Sequence, residues 1–113
     1  MPTLSLRINL DPAGRIGPGK IDLLEEIAAC GSISAAARTM KMSYKRAWDL
    51  VEEMNRLFGK PVVAAQVGGR RGGGATLTPA GLAVVRRFRA IERAATSAAA
   101  RHMTALQAEI EAA

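Results

Sequence analysis

The stretch that decides the fold is GSISAAARTMKMSYKRAWDLVEEMNRLFG, residues Gly31 to Gly59. It predicts two helices joined by a very short turn. The first, about Ser34 to Met40, is rich in alanine, whose small side chain lets a second helix cross it closely. The second begins after Ser43, whose hydroxyl can cap the free amides of the first turn, and Gly59 is the glycine that commonly ends a helix. Two helices joined in this way predict a helix-turn-helix.

One face of the second helix is apolar. Ala47, Val51, Met54 and Phe58 recur at i, i+4, i+7 and i+11, the spacing of a helix face that packs on a core. The opposite face is therefore left for solvent or for a partner.

The exposed face of this second helix begins with cations. Lys45 and Arg46 stand in its first turn, and Asp49 comes later. Cations at the positive end of a helix dipole cost a little stability. The order suits a recognition helix, which enters the major groove of DNA by its N-terminal end. We therefore predict DNA contact here, the alternative being two merely solvated basic residues.

Composition limits the other possibilities. The chain has 113 residues, 23% of them charged, which predicts one soluble globular domain. Its net charge of +6 and pI near 10.5 favour an anionic partner. The single cysteine, Cys30, excludes an internal disulfide; we expect it to fill the core and to indicate a reducing, cytoplasmic compartment. The sequence indicates neither a signal peptide nor a membrane segment.

The N-terminal part predicts a strand and a helix. Leucine and isoleucine alternate with polar residues over 3–10, as in a half-buried strand, and turn residues follow. A helix is predicted over 18–30, with Pro18 near its first position. Its expected buried stripe is Ile21, Leu24, Ile27 and Ala28.

Residues 62–78 predict a hairpin with a basic tip. Two short apolar strands flank Gly68 to Gly74, where glycines surround Arg70 and Arg71. A strand, a basic loop and a strand after a helix-turn-helix form the wing of a winged helix, and the N-terminal strand is expected to complete a three-stranded sheet. A functionless tip is the alternative. A nucleotide-binding loop fits poorly, because Ala75 stands where the phosphate-binding lysine must be.

The complete set of candidate DNA-binding residues comes from both helices and the hairpin. It consists of Ser34, Ser43, Tyr44, Lys45, Arg46, Trp48, Arg70 and Arg71.

A last helix is predicted over 79–112. Thr78 and Pro79 suit its N-cap and first position, and an apolar seam with one stutter follows. The predicted dimerisation residues are Val84, Phe88, Ile91, Ala95, Ala99, Met103, Leu106 and Ile110. Such a rod is most simply buried by a second copy, so we expect a homodimer; the alternative is a break near Thr96. Arg86, Arg89 and Arg93 share one face, where solvation or phosphate contact is expected.

The sequence does not indicate an enzyme. His102 is the one histidine, and neither it nor Cys30 has partners at the spacing of a metal site or a catalytic triad. We expect no catalytic residues, no metal and no cofactor.

Several motifs together resemble the N-terminal DNA-binding domain of the ModE family of molybdate-responsive bacterial regulators. They are GSIS (31–34), MSYKRAWDLVEEMN (42–55) and GGRRGGGATLTPAG (68–81). The resemblance implies a winged helix-turn-helix, a dimer formed through helices, and promoter DNA as the target. Full-length members continue into oxyanion-binding domains, whereas this sequence stops at Ala113. We therefore expect DNA binding without selective molybdate binding.

The sequence thus predicts a mostly α fold with a small antiparallel β-sheet: a single winged helix-turn-helix domain with a long C-terminal dimerisation helix. The predicted function is a sequence-specific transcriptional regulator that binds double-stranded promoter DNA as a homodimer. The alternative is a winged-helix protein-interaction module that pairs with a full-length relative. Lys45, Arg46, Arg70 and Arg71 favour DNA, because a protein-binding surface usually has aromatic anchors.

Overall fold

A computed structural model describes residues 1–12, 14–66 and 74–111. Its elements in chain order are β1 (Ile8–Asn9), β2 (Arg15–Ile16), α1 (Pro18–Cys30), α2 (Ile33–Thr39), α3 (Tyr44–Phe58), β3 (Val63–Gln66), β4 (Gly74–Leu77) and α4 (Pro79–Glu111). The mostly helical winged helix-turn-helix with small antiparallel strands is confirmed.

Local capping sets the ends of the helices. Ser43 Oγ accepts a hydrogen bond from the Arg46 amide at 3.0 Å at the start of α3. Gly31 and Gly59 end α1 and α3 in the left-handed conformation, with φ of 77° and 67°, which glycine adopts without a steric penalty. Ser32 caps α2 by accepting from the Ala35 amide at 3.0 Å, so α2 begins at Ile33, one residue before the predicted start.

The core lies where α1 meets the helix-turn-helix. Ala36, Ala37 and Ala47 are buried between the crossing helices, as their small size requires. One prediction within α1 is wrong: Ala28 is exposed, and Leu23 is fully buried. The reason is that α1 is contacted by α2, α3, α4 and β4, so its buried surface extends round to Leu23.

The N-terminal strand is shorter than the predicted 3–10 and pairs elsewhere. Only Ile8–Asn9 is a strand, and it pairs antiparallel with Arg15–Ile16. Within residues 1–12, 14–66 and 74–111 each sheet has two strands, so the three-stranded sheet is wrong. A partner a few residues away costs less loop entropy than the distant hairpin. The predicted alternation still holds, since Leu6, Ile8 and Leu10 pack against the core.

The second hairpin follows α3. β3 pairs antiparallel with β4 in the register Val63↔Leu77 and Gln66↔Gly74. The predicted interval 62–78 is wider by one residue at each end, because Val62 and Thr78 share only one backbone hydrogen bond and the Val62 amide bonds a side chain. The Val62 amide donates to Asn55 Oδ1 at 2.8 Å, and the Val62 carbonyl accepts from the Thr78 amide at 3.0 Å. The predicted basic tip, with Arg70 and Arg71, lies outside the described residues.

The last helix is continuous. It spans Pro79–Glu111, 33 residues, a length of about 50 Å, so the alternative break near Thr96 is wrong. Thr78 caps it as predicted: its Oγ1 accepts from the Gly81 amide at 3.0 Å and donates to the Pro61 carbonyl at 2.8 Å. The last predicted helical residue, 112, lies outside the described part. No helix of that part is both long and apolar enough to cross a membrane.

Two further predictions are corrected by burial. Phe88 is only 2% exposed and belongs to the core of its own protomer, because the first turns of α4 cover α1. It therefore packs within its own protomer, with only an edge at the apolar groove beside α4. Cys30 is exposed at the end of α1 and does not fill the core.

Candidate nucleic-acid interface

The outer surface of α3 carries the residues that the sequence singled out. Its buried side is formed by Ala47, Leu50, Val51 and Met54, and the apolar stripe is thereby confirmed for all its members except Phe58, which is half-buried. The opposite surface is exposed in the N-terminal part of the helix, from Tyr44 to Asp49 apart from the buried Ala47, so the first turn of α3 is accessible to a large partner.

The first turn of α3 presents three kinds of side chain. Helical spacing places Lys45 near the middle of the exposed surface, with Tyr44 and Trp48 together on one flank and Arg46 on the other. All four are exposed. A central cation, two aromatic rings and a guanidinium offer charge, stacking surface and bidentate donors within one helical turn.

Lys45 is held in the free protein by its own helix. Its Nζ lies 3.0 Å from Asp49 Oδ2, an i, i+4 pair in which the lysine side chain is 84% exposed. An exposed pair of this kind contributes only about 0.3–0.5 kcal/mol. Lys45 can therefore exchange Asp49 for another anion at little cost.

The two candidate serines have different positions. Ser43 uses an oxygen lone pair to cap α3, which leaves its hydroxyl proton to donate. Ser34 is exposed in the first turn of α2. Both lie at helix N-terminal ends, where the free amides favour anions.

The turn between α2 and α3 is rigidly closed by backbone hydrogen bonds. The Met40 amide donates to the Ala36 carbonyl at 3.0 Å, and the Met42 amide to the Ala37 carbonyl at 2.9 Å. Lys41 sits between them with a positive φ of 58°. This turn fixes the angle at which α3 leaves α2 and projects its first turn outward.

Sequence reasoning missed a group of cations beside α3. A cleft of about 570 Å³ lies on the Arg46 flank, between α3, the start of α1 and the N-terminal hairpin, a name we use for β1, β2 and the adjoining residue Arg7. Its charged lining residues are Arg7, Arg15, Lys20, Arg46 and Glu53. Arg7, Arg15 and Lys20 lie far from α3 in the sequence. The only sequence signal for them was the net positive charge of the whole chain.

Of the three arginines predicted to share one face of α4, Arg86, Arg89 and Arg93, the fold places Arg89 in ion pairs. Arg89 bonds Asp22 and Glu92 at 2.7 Å each, and Glu25 as well, so it fastens α4 to α1. These partners, Glu25 first and then Glu92, raise the pKa of Arg89 above its ordinary value. Arg89 is therefore occupied by protein carboxylates and does not offer a phosphate contact.

Metal-site geometry is not found in the part of the chain that the structure covers. Among those residues no three His, Cys, Asp or Glu side chains lie close enough to hold an ion. The Cys30 thiol donates to Glu26 Oε2 at 3.6 Å, and His102 is exposed on α4.

Known families and structures match the region that contains this surface. The family model described as bacterial regulatory helix-turn-helix protein, lysR family, matches residues 19–82. The crystal structure of the CbnR_DBD-DNA complex has a similar fold, with a TM-score of 0.59 and 22% identity over 78% of this chain and 95% of that chain.

Relatives with higher identity are longer proteins. The molybdenum-pterin-binding protein MopB of Rhodobacter capsulatus is 53% identical over 78 residues, 69% of this chain and 29% of the relative. The transcriptional regulator ModE of Haemophilus influenzae is 47% identical over 73 residues, 65% of this chain and 29% of the relative. The chain spans about a third of the length of these curated relatives or less.

Proposed function

The chain belongs to the lysR family of bacterial regulatory helix-turn-helix proteins, and on this premise we propose that it is a sequence-specific DNA-binding transcriptional regulator. The observation that carries the proposal is the exposed first turn of α3, where Lys45 and Arg46 stand beside two aromatic rings. The likeness to the regulator ModE and to a DNA-bound fold supports it.

In the proposed complex α3 enters the major groove by its N-terminal end. Arg46 has the geometry for a bidentate contact to guanine O6 and N7, and Lys45 reaches a base edge or a phosphate after leaving Asp49. Tyr44 and Trp48 face the bases or sugars on the other flank. Ser34 and Ser43 donate to phosphates at the starts of α2 and α3.

Arg70 and Arg71 remain sequence-based candidates for the wing. A basic, glycine-rich tip suits phosphate or minor-groove contact with little reading of sequence. Replacing both should weaken binding to every duplex alike and lower the log K against log salt slope by about one per lost contact. A loss confined to one DNA sequence would make them base readers instead.

The proposed assembly is a homodimer. Its interface differs from the predicted apolar seam of α4, because Phe88 belongs to the core of its own protomer. Beside the N-terminal half of α4 lies an open apolar groove of about 290 Å³, lined in part by Leu10, Val84 and Ile91. At the other end of the same helix Leu106 and Ile110 are 72% and 73% exposed. Antiparallel α4 helices would place each exposed end near the partner's groove, with the same contact made twice, as two-fold symmetry requires.

The remaining seam residues fit this arrangement. Ala95, Ala99 and Met103 lie between the groove and the exposed end on α4, and small side chains there allow two helices to approach closely. A dimer of this kind predicts a target with two half-sites about one helical turn apart.

The second candidate function uses the same apolar end. Leu106 and Ile110 suit the α4 of a longer relative as well as a second copy, which would make the chain a pairing module for a full-length regulator. A DNA competition experiment distinguishes the two functions, because a pairing module does not need α3 to contact DNA.

Selective molybdate binding is not part of the proposal, and we expect none. The described cations near α3 are arranged around an open cleft, where sulfate and phosphate compete equally with molybdate. Calorimetry with molybdate in a sulfate background tests this: no saturable heat is expected, and micromolar binding that sulfate cannot displace would contradict it.

The direct test of the proposal compares specific and non-specific duplexes. A duplex from the chain's own promoter region competes with one of random sequence for the wild type and for Lys45→Ala/Arg46→Ala. Loss of a bidentate base contact should cost about 1–3 kcal/mol on the promoter duplex and reduce discrimination. Unchanged discrimination would refute this assignment of the reading residues.

A further inference from the structure

The cleft beside Arg46 draws its charge from three separate parts of the fold. Arg7 comes from the segment before β1, Arg15 from β2, and Arg46 from the first turn of α3. Met40, Met42 and Leu50 line the same cleft, so folding brings the N-terminal hairpin against the helix-turn-helix at this point. The residues that line the cleft are not neighbours in the sequence, so only folding brings them together.

Within the cleft, one cation is already neutralised. Lys20 Nζ donates to Glu53 Oε1 at 3.0 Å and to the Arg15 carbonyl at 2.9 Å, and its side chain is only 16% exposed. Glu53 is the one acid of the lining. Lys20 therefore serves to hold β2 and α3 together, and the cleft keeps the charge of its three arginines.

Those three arginines have no ion pair within residues 1–12, 14–66 and 74–111. Three of the described acids, Asp22, Glu25 and Glu92, are instead gathered around Arg89. The fold thus separates charge, leaving uncompensated guanidinium groups beside α3. A surface of one sign raises the local concentration of oppositely charged partners.

Arg7 is directed across the backbone of Gly17. A Cβ added at Gly17 would lie 2.8 Å from Arg7 Cγ and 3.4 Å from its Cδ. The φ of Gly17 is −144°, which any residue adopts, so the glycine is needed for space and not for its backbone conformation. Its missing side chain is what lets Arg7 lie at the cleft.

The cleft adjoins the reading surface of α3 on the side away from Trp48. Arg46, Leu50 and Glu53 follow at i, i+4 and i+7, so they share the flank that forms one wall. A long, regularly charged polymer that lies along α3 would pass this flank. Guanidinium groups on separate elements suit successive phosphates better than one small anion, which needs donors converging on a point.

We propose that this cleft binds the sugar–phosphate backbone of duplex DNA next to the groove that α3 reads, with Arg7 and Arg15 as phosphate contacts supplied by the N-terminal hairpin. The inference rests on the proposed function and adds a second contact region on the Arg46 flank. Its contacts position the protein and carry no base specificity.

The test measures the salt dependence of binding to a long random-sequence duplex, so that no operator is needed. Arg7→Gln/Arg15→Gln is compared with Arg86→Gln/Arg101→Gln, which removes the same charge from exposed positions on α4. Loss of two phosphate contacts should lower the log K against log salt slope by about 1.8 for the cleft pair. The control pair should lower it much less, and circular dichroism establishes that both variants fold.

Gly17→Ala gives a variant that keeps every charge. It should displace Arg7 and lower the slope by about 0.9, the value of one contact. On a short duplex trimmed to the base pairs under α3, the cleft variants and the wild type should bind alike, because the flanking phosphates are gone.

The outcomes separate the two hypotheses. A wild type that binds no duplex overturns the proposed function. A wild type that binds, with equal slopes for the cleft pair and the α4 pair, overturns only the cleft assignment. Saturable binding of inorganic phosphate or sulfate that requires Arg7 and Arg15, with no change in DNA binding, would make the cleft a small-anion site and also overturn it.

Discussion

Gly81 has the Val62 carbonyl where a side chain would begin, in the first turn of α4. Because the obstacle is backbone, Gly81→Ala should lower the free energy of unfolding by about 1–3 kcal/mol. Gly19 is the matched control, since nothing lies within 4 Å of its added Cβ. Gly19→Ala should raise the stability of α1 by about 0.5–1 kcal/mol. Urea unfolding measures both, and equal effects would contradict the packing described here.

Asp49 is a carboxylate on the surface that we propose for DNA. Asp49→Asn removes its repulsion of phosphate and releases Lys45, so affinity for any duplex should increase. Glu109→Gln, the same charge change at the exposed end of α4, should have less effect. Fluorescence anisotropy with a random duplex measures both. Weaker binding by Asp49→Asn would mean that the carboxylate accepts a hydrogen bond from a base.

Residue-scale predictions succeeded where the cause is local. The caps at Ser43, Gly59 and Thr78 depend on neighbours within one turn, and all three were predicted from sequence. Ala28 and Cys30 were predicted wrongly and Leu23 was missed, because burial at these positions depends on elements distant in the chain. The cleft cations were missed for the same reason, since only folding brings Arg7 and Arg15 to α3.

At the scale of elements, the attachment of α4 to α1 rests in part on Arg89. It bonds Asp22 and Glu25 on α1 and Glu92 on α4. The ordinary pKa of an arginine is already far above neutral, and the ion pairs raise the pKa of Arg89 further. The stability that Arg89 contributes is therefore fully present below the ordinary pKa. It is lost only as the pH rises through the higher pKa of the folded state. We expect no pH dependence from Arg89 across the neutral range.

Salt should reveal this contribution instead. Arg89→Ala should lower the free energy of unfolding by about 1–2 kcal/mol at low ionic strength, since partly exposed pairs are each worth up to about 1 kcal/mol. The loss should shrink in high salt. Arg86→Ala, on the same helix without a described ion pair, is the control. A loss for Arg89→Ala that is independent of salt would indicate packing of its stem and not charge.

The strands show what sequence patterns leave open at this scale. The alternation over 3–10 predicted which side chains face the core, but it carries no information about the pairing partner. β1 pairs with Arg15–Ile16. A strand of two residues is too short to show a recognisable alternation in the sequence. Helices were predicted more closely, because their hydrogen bonds close within the segment.

At the scale of the whole molecule, a second copy is expected to cover the exposed end of α4. Leu106→Glu/Ile110→Glu should convert the proposed dimer into a monomer, because charges would enter an apolar interface. Thr104→Glu/Ala108→Glu adds the same charge on the opposite, exposed side of the helix and should leave the dimer intact. Sedimentation velocity measures the mass. A wild type that sediments as a monomer at micromolar concentration would rule out the dimer.

The central claim is that the first turn of α3 contacts DNA, and amide chemical-shift mapping by NMR tests it most directly. On addition of a promoter duplex to the full chain, the largest shifts should fall on residues 43–48, with smaller ones at Ser34 and around Arg7 and Arg15. Residues 103–110 should change little. Shifts confined to the end of α4, or none at residues 43–48 with bound duplex, would contradict the claim.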